Sequence, residues 1–350
     1  MKTITIKGHN IGRDHKPYII AELSGNHNQS LERALDIVKA AASAGAHAIK
    51  LQTYTADTIT IDHQGGLFDI TDPDSPWHGR NLYALYQEAH TPWEWHKEIF
   101  NLANALGMAA FSSPFDETAV DFLESLDVPA YKIASFESTH YPLLKKVAAT
   151  GKPVIISSGA SRLDELYDAV RLLSQHGSSQ IAILKCTSAY PASPKNTNLN
   201  TIPVLQSIFP DCIIGLSDHT MGIGAAVASI ALGARVIEKH VTLRRADGGV
   251  DSAFSLEPQE LEALVTECGR AFHALGRVQL DTQPSEQKSR QFRRSIYAVK
   301  DIKAGEALTT ENIRVIRPGD GLKPRYYEEI LGRVAKVSIR RGTPLDWGVI

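Results

Sequence analysis

The chain has 350 residues, 43% hydrophobic and 22% charged, with a formal net charge of -2; a balance so close to neutral gives no reason to expect nucleic acid or an anionic membrane, and it favours a small-molecule partner. Cys186, Cys212 and Cys268 form no CxxC pair and no even-numbered framework, which predicts buried apolar thiols in a reducing cytoplasm. The first residues have no long apolar leader and no later stretch offers the roughly 18 consecutive apolar residues of a membrane span, so a cytoplasmic protein is expected.

The first predicted strand is 18–24 (YIIAELS), and after Ser30 the residues Leu31, Leu35, Val38, Ala41 and Ala42 recur at helical spacing until Gly45 stops the run. A second strand, 48–53 (AIKLQT), leads into a long connection, 54–90, that carries turn signals at Gly65-Gly66, Asp72-Pro73-Asp74 and Ser75-Pro76. Loops of that length in compact domains are functional or disordered, and this one is expected to help cover a substrate. Its aromatic residues and those just beyond (Trp77, Tyr83, Tyr86, Trp93, Trp95 and His96) read as packing of the insert and its helix, which Thr91-Pro92-Trp93-Glu94 should start with a capping threonine. Six more strands follow at 109–115 (AAFSSPF), 130–137 (AYKIASFE), 154–159 (VIISSG), 181–188 (IAILKCTS), 213–219 (IIGLSDH) and 236–242 (VIEKHVT). Short apolar runs of this kind fit strands buried on both faces, and their alternation with helices predicts an α/β chain with a (β/α)8 TIM barrel. A helix over 258–275 and a polar stretch at 281–290 come next, then short strands at 296–299, 313–316 and 335–339. The expected organisation is a barrel over 1–280, a linker over 281–290 and a small β-rich domain over 291–350.

Polar residues at the carboxyl ends of barrel strands converge on the active-site face. His219 and His240 end neighbouring strands and would either bind one divalent ion with positions left open or hydrogen-bond within the barrel mouth. Glu238 shares the inward parity of His240, whereas Lys239 should face the helices and snorkel. Lys50 and Lys132 need an anionic partner or a depressed pKa, so phosphate recognition and Schiff-base chemistry both remain open. The hydroxyls of Ser113, Ser135, Ser157 and Ser217 favour phosphate or carboxylate recognition. Glu22 and Glu137 add carboxylates for proton transfer or sugar hydroxyls; their use as structural ion-pair partners of the lysines is the weaker reading. Arg290, Arg293 and Arg294 read as a solvated basic face.

Taken in order, IIAELSGNHN, AIKLQT, YKIASFE, GLSDHT and EKH, followed by VKDIKAGEALT, IRPGDGL and IRRGTPL, resemble the sialic acid synthase family along essentially the whole chain. The tail resembles that family's antifreeze-like (SAF, β-clip) domain. Within the family, ELSGNHNQSLERA, HTPWEWH, FSSPFDETAVDFLESLDVPAYKIASFE and RADGGVDSAFSLEP resemble the branch that makes pseudaminic acid more than those that make N-acetylneuraminate or legionaminate. The resemblance implies a transferase that condenses phosphoenolpyruvate with an N-acetylated amino sugar, here 2,4-diacetamido-2,4,6-trideoxy-L-altrose, and releases phosphate by carbon-oxygen cleavage. It makes His219 and His240 ligands of a divalent metal (manganese, magnesium or cobalt) and Glu22 a catalytic carboxylate. It gives Lys50, Ser113, Lys132, Ser135, Ser157, Ser188 and Ser217 to phosphoenolpyruvate, and Gln52, Phe115, Glu137, Tyr190 and Asp251 to the sugar. Arg317 matches an arginine that the tail inserts into the neighbouring subunit's barrel, which implies a domain-swapped homodimer. Ser113 and Ser188 stand where relatives making N-acetylneuraminate commonly have threonine and asparagine. Two other classes compete: a Schiff-base aldolase using Lys50 or Lys132, and a non-enzymatic carbohydrate-binding or ice-binding protein, against which the histidines and paired lysines speak.

Overall fold

A computed structural model describes residues 3–73, 75 and 77–350, so Asp74 and Pro76 among the expected turn signals lie outside the described residues. The chain forms two compact units, one ending at Gly276 and the other Arg277–Ile350. In the first unit the strands β3 (Tyr18–Glu22), β4 (Ala48–Thr53), β5 (Ala109–Pro114), β6 (Tyr131–Ile133), β7 (Val154–Ser157), β8 (Ile181–Cys186), β9 (Ile213–Ser217) and β10 (Val236–His240) close into a barrel. All pairings in it are parallel, and β10 closes on β3 with Val236 opposite Tyr18 and His240 opposite Glu22. Every strand is buried along nearly its whole length, as helices on the outer face require. Eight helices supply that layer: α1 (Leu31–Ser43), α4 (His96–Ala105), α5 (Glu117–Ser125), α6 (Tyr141–Ala149), α7 (Leu163–Gln175), α8 (Thr201–Ile208), α9 (Gly224–Ala231) and α10 (Pro258–Leu275). The connection after β4 contains two more, α2 (Ala56–Ile59) and α3 (Leu82–Ala89).

Local chemistry sets several boundaries. Ser30 caps α1 by accepting from Arg33 N, and Gly45 at φ 84° ends it in a conformation that other residues avoid. Thr91 does not cap the helix that follows it. Its hydroxyl lies 3.3 Å from His27 Nε2 instead, and the chain enters α4 through a 3-10 turn at Trp93–Trp95 with Pro92 as the preceding residue. A hairpin absent from the sequence reading, β1 (Ile4–Ile6) with β2 (His9–Ile11), buries Ile4, Ile6 and Ile11 in the barrel core. Thr5 N donates to Gln180 Oε1 and Lys7 Nζ to Met108 O, residues just before β8 and β5, so the hairpin spans the amino-terminal mouth. No helix of the described residues is long and apolar enough to cross a membrane.

The second unit pairs β11 (Ser295–Ala298) antiparallel with β12 (Ile313–Ile316) around its own core of Ile296, Ile302, Leu308, Ile313, Ile330, Ile339 and Leu345. The expected third strand is reduced to isolated bridges, Ile302 with Ile339 and Ala307 with Val334. Residues of the expected linker belong to this unit and form 3-10 turns at Pro284–Glu286 and Lys288–Phe292.

Gly215 marks a tight approach inside the barrel wall. A Cβ there would stand 2.3 Å from Val236 O and 2.6 Å from Leu184 Cδ2, so a methyl group would push β9 away from both neighbours. Gly215→Ala should therefore lower stability by about 1–3 kcal/mol, the usual cost of overpacking. Urea unfolding checks it; an unchanged midpoint would contradict the close contact.

Candidate active site

Alternation along β4 turns Lys50 and Gln52 into the barrel, and closure sets Lys50 beside Glu22 on β3 and Glu22 beside His240 on β10. Lys50 Nζ lies 3.0 Å from Glu22 Oε2 and 3.4 Å from Glu238 Oε1. The same Glu238 oxygen is 3.8 Å from Lys132 Nζ, and Ser217 donates to it at 3.3 Å. Lys50 also donates to Ser113 at 3.3 Å, Lys132 to Ser157 at 2.7 Å, and Gln52 to Glu22 at 2.9 Å. All these groups sit at the carboxyl end of the barrel. The residues expected to meet phosphate or carboxylate thus include two lysine-hydroxyl pairs joined by one carboxylate.

Ser135 and Ser188 form a second cluster around Gly159, where a Cβ would stand 2.6 Å and 2.2 Å from their hydroxyls. Strand β6 ends earlier than the sequence suggests, at Ile133, and a 3-10 turn over Ser135–Glu137 lifts those residues above the strand. The thiol of Cys186 joins this cluster, 3.5 Å from Ser135 Oγ, 3.8 Å from Ser188 Oγ and 3.9 Å from His219 Nδ1. Cys186 is therefore a polar site group, not the inert core residue expected of it. Burial pushes its thiol up, but His219, Ser135 and Lys132 together outweigh burial and leave it at about 7.

The imidazoles of His219 and His240 face each other edge to face at 5.3 Å between centroids. His219 Nδ1 lies 3.0 Å from Thr187 O, which fixes that nitrogen as the donor and leaves Nε2 for another partner. His240 Nδ1 is buried without a hydrogen-bond partner, 3.8 Å from Asp251 Oδ2, and burial keeps the ring neutral by holding its pKa well below the ordinary value. Among the described residues no three His, Cys, Asp or Glu side chains converge to enclose an ion. Two facing imidazoles, one of them neutral with an unsatisfied nitrogen, fit a catalytic ion whose other positions go to water or substrate.

Around this centre Tyr190 stands 4.5 Å from His219, and Phe254 stands 5.0 Å from His240. Trp77 reaches in from the long connection to meet Tyr190 at 5.7 Å, with its indole donating to Val250 O at 3.1 Å. Trp93 and His96, by contrast, pack on Phe122 of α5 as expected. Across the mouth, Phe115 meets Tyr54 at 4.9 Å. Ser24 bonds both Gln52 and Asp251 and ties the two sides together. Arg317 lies exposed after β12 in the second unit.

Sequence reasoning missed the bridging role of Glu238, although its parity gave its direction. The ion pairing that was the weaker reading is present, with Glu22 and Glu238 as the partners of the lysines, whereas Glu137 Oε2 is buried with no hydrogen-bond partner. Lys239 does not snorkel. It is fully buried and paired with Asp218 at 3.1 Å.

A barrel with buried lysines, strand-end hydroxyls and two open imidazoles defines an enzyme of anionic small molecules. Residues 37–280 match the NeuB family and residues 293–348 the SAF domain. Pseudaminic acid synthase of Campylobacter jejuni subsp. jejuni serotype O:2 is 44% identical over 339 residues, 97% of this chain and 98% of that one. Pseudaminic acid synthase of Helicobacter pylori is 43% identical over 331 residues, 94% and 96% of the two chains. Among solved structures, the N-acetylneuraminic acid synthetase of Leptospira borgpetersenii serovar Hardjo-bovis, in complex with citrate, superposes with a TM-score of 0.72 at 32% identity, covering 82% of this chain and 95% of that one. The chain belongs to the NeuB, or sialic acid synthase, family. It is accordingly a transferase of the phosphoenolpyruvate-dependent nonulosonic acid synthase family.

Burial raises the Glu137 carboxyl from its ordinary 4.5 to about 7, with Lys132 and Lys50 only partly opposing. The folded chain therefore holds a proton that the unfolded chain gives up, and this contribution to stability is full below pH 4.5 and lost as pH rises through about 7. Glu137→Gln should remove that slope. Urea unfolding at pH 5 and pH 8 should show a smaller loss for the variant than for the parent chain; equal losses would mean that Glu137 ionises normally.

Proposed function

We propose that this chain condenses phosphoenolpyruvate with 2,4-diacetamido-2,4,6-trideoxy-L-altrose and water to give pseudaminic acid and phosphate, in the cytoplasm. The observation that carries the reading is the pair of buried ammonium groups, Lys50 and Lys132, held by one carboxylate beside two facing imidazoles. The choice of sugar is supported by relatives named for pseudaminic acid at 44% and 43% identity, against 32% for a structure named for N-acetylneuraminic acid.

In this reading Lys50 and Lys132 bind the phosphate and carboxylate of phosphoenolpyruvate, with Ser113, Ser135, Ser157, Ser188 and Ser217 donating to the remaining oxygens. Gln52, Phe115, Glu137, Tyr190 and Asp251 orient the open-chain sugar. His219 and His240 would hold a divalent ion, which when bound draws electron density from the aldehyde oxygen. Carbon 3 of phosphoenolpyruvate attacks the aldehyde carbon, water adds at carbon 2, and the tetrahedral product expels phosphate by cleavage of the carbon-oxygen bond. Glu22 takes a proton from that water and returns one to the new alkoxide. Burial raises its carboxyl to about 7, which suits a group that must both accept and release a proton near neutrality.

Mass spectrometry of products and a phosphate-release assay test the reading. With a panel of sugars, kcat/KM should be highest for the diacetamido altrose. A pocket apolar at the 6-methyl would reject the extra hydroxyl of N-acetylmannosamine only by about a hundredfold, while unmet partners for the second acetamido group add to the discrimination. With the bridging oxygen of phosphoenolpyruvate labelled, the label should leave in phosphate. A preference for N-acetylmannosamine or the diacetamido mannose would move the chain to another branch, and label retained in the keto acid would refute the cleavage.

The reading includes a homodimer in which Arg317 serves the partner's barrel, supported by the resemblance of the tail. A mixed dimer of Arg317→Ala and His219→Ala subunits should then regain part of the activity that each variant lacks. No recovery in verified heterodimers would restrict the arginine to its own chain or to no role.

A further inference from the structure

We propose that the buried pair Lys239–Asp218 is a positioning device that sets the spacing of the His219 and His240 rings, and through it the affinity of the site for a divalent ion. The inference rests on the reading of those histidines as metal ligands. Lys239 lies between Glu238 and His240 on β10, and its neighbours' side chains enter the barrel mouth while its own leaves in the other direction. A lysine so directed usually extends its ammonium to water. This one has no exposed surface at all.

Its three donors are all used. Lys239 Nζ donates to Asp218 Oδ2 at 3.1 Å, to Thr220 O at 2.5 Å and to Gly222 O at 2.9 Å. The acceptors alternate along the segment that follows β9, and His219 lies among them. Asp218 adds two bonds of its own: Oδ1 accepts from Thr220 N at 2.9 Å, and its amide donates to Glu238 O at 3.0 Å. The segment bearing one imidazole is thus wrapped around an ammonium carried by the residue before the other imidazole. Farther out, the His219 carbonyl accepts from Ala192 N at 3.0 Å and the His240 carbonyl from Leu256 N at 2.8 Å. Those bonds anchor each strand end separately, whereas the Lys239 and Asp218 contacts join the two.

A buried ion pair is a poor means of stabilising a fold, since apolar side chains of similar volume do as well without losing hydration. What it supplies here is direction: three short donor contacts fix where the 218–222 segment sits relative to β10. Partners that orient metal ligands without touching the ion change metal affinity by about ten- to a hundredfold when removed.

The test uses the full chain stripped of metal, as the parent and as Asp218→Asn, Lys239→Met and the double variant. Manganese affinity is measured by calorimetry and by electron paramagnetic resonance of the free ion, phosphoenolpyruvate affinity by fluorescence, and folding by circular dichroism. The double variant, which removes both charges together, should bind manganese about ten- to a hundredfold more weakly while keeping its fold and its phosphoenolpyruvate affinity. A purely structural role would lower the unfolding temperature and leave manganese affinity at 25 °C unchanged; parental affinity in the folded double variant overturns the proposal. Lys239→Met alone leaves a buried carboxylate without its partner and is prone to unfold. Asp218→Asn, which keeps the side chain's shape, then carries the comparison. Failure of the metal reading itself looks different, because the parent chain and His240→Ala would then bind manganese equally.

Discussion

One carboxylate faces two ammonium groups in a space that admits little water. Glu238 lies within 3.4 Å of Lys50 and 3.8 Å of Lys132, and all three side chains are almost wholly buried. Burial alone would push Glu238 towards its neutral form, but the two lysines and His219 outweigh it and hold the carboxylate ionised. The compensation is uneven. Glu22 supports Lys50, whose charged form gains on balance, whereas Lys132 meets Glu238 only at 3.8 Å and is pushed down by burial. With Glu22 and Glu137 each raised to about 7, two of the carboxylates near the lysines are partly protonated at neutral pH, while Glu238 stays ionised. Removing Glu238 would take from Lys132 its carboxylate and leave Lys50 with Glu22 alone, and breaking a buried pair from one side typically costs about 3–5 kcal/mol.

The barrel is what brings these charges within reach of one another. Lys50, Glu22 and His240 come from positions far apart in the chain, yet parallel closure places them side by side at one level, with Glu238 one inward position below His240. On strands the backbone is already satisfied, and the charged side chains need answer only to each other.

Much of this was legible in the sequence, and the exceptions have physical causes. The eight barrel strands stand out because burial on both faces selects unbroken apolar runs, and each run ends in the polar residues that form the mouth. Direction followed from parity, but partners did not. Glu22 and Glu137 were equivalent candidates until the 3-10 turn after β6 carried Glu137 away and left Glu238 to meet the lysines. Lys239 faced outward as parity required, but outward from β10 leads into the folded 218–222 segment and not to solvent. Thr91 had the sequence of a cap and found His27 instead, a contact between segments 64 residues apart that no local pattern encodes. The hairpin β1–β2 escaped notice because each strand has only three residues, too few for any period to register.

Chemistry and selectivity are divided between strands and loops, but the division is incomplete. The groups that would meet phosphoenolpyruvate lie mainly on strands, held by the ladder. Those that cover the mouth lie on connections: Trp77 on the insert after β4 and Tyr190 after β8. Tyr190 packs directly on His219, and Trp77 packs on Tyr190 while bonding to Val250, near Asp251. A change in the covering loop therefore acts on the orientation of an imidazole as well as on the shape of the opening. Loops usually vary freely on a barrel because they touch the chemistry only through substrate. Here an unbroken series of aromatic contacts runs from the insert to the facing imidazoles, so altering what the opening admits also disturbs the geometry of the centre beneath it.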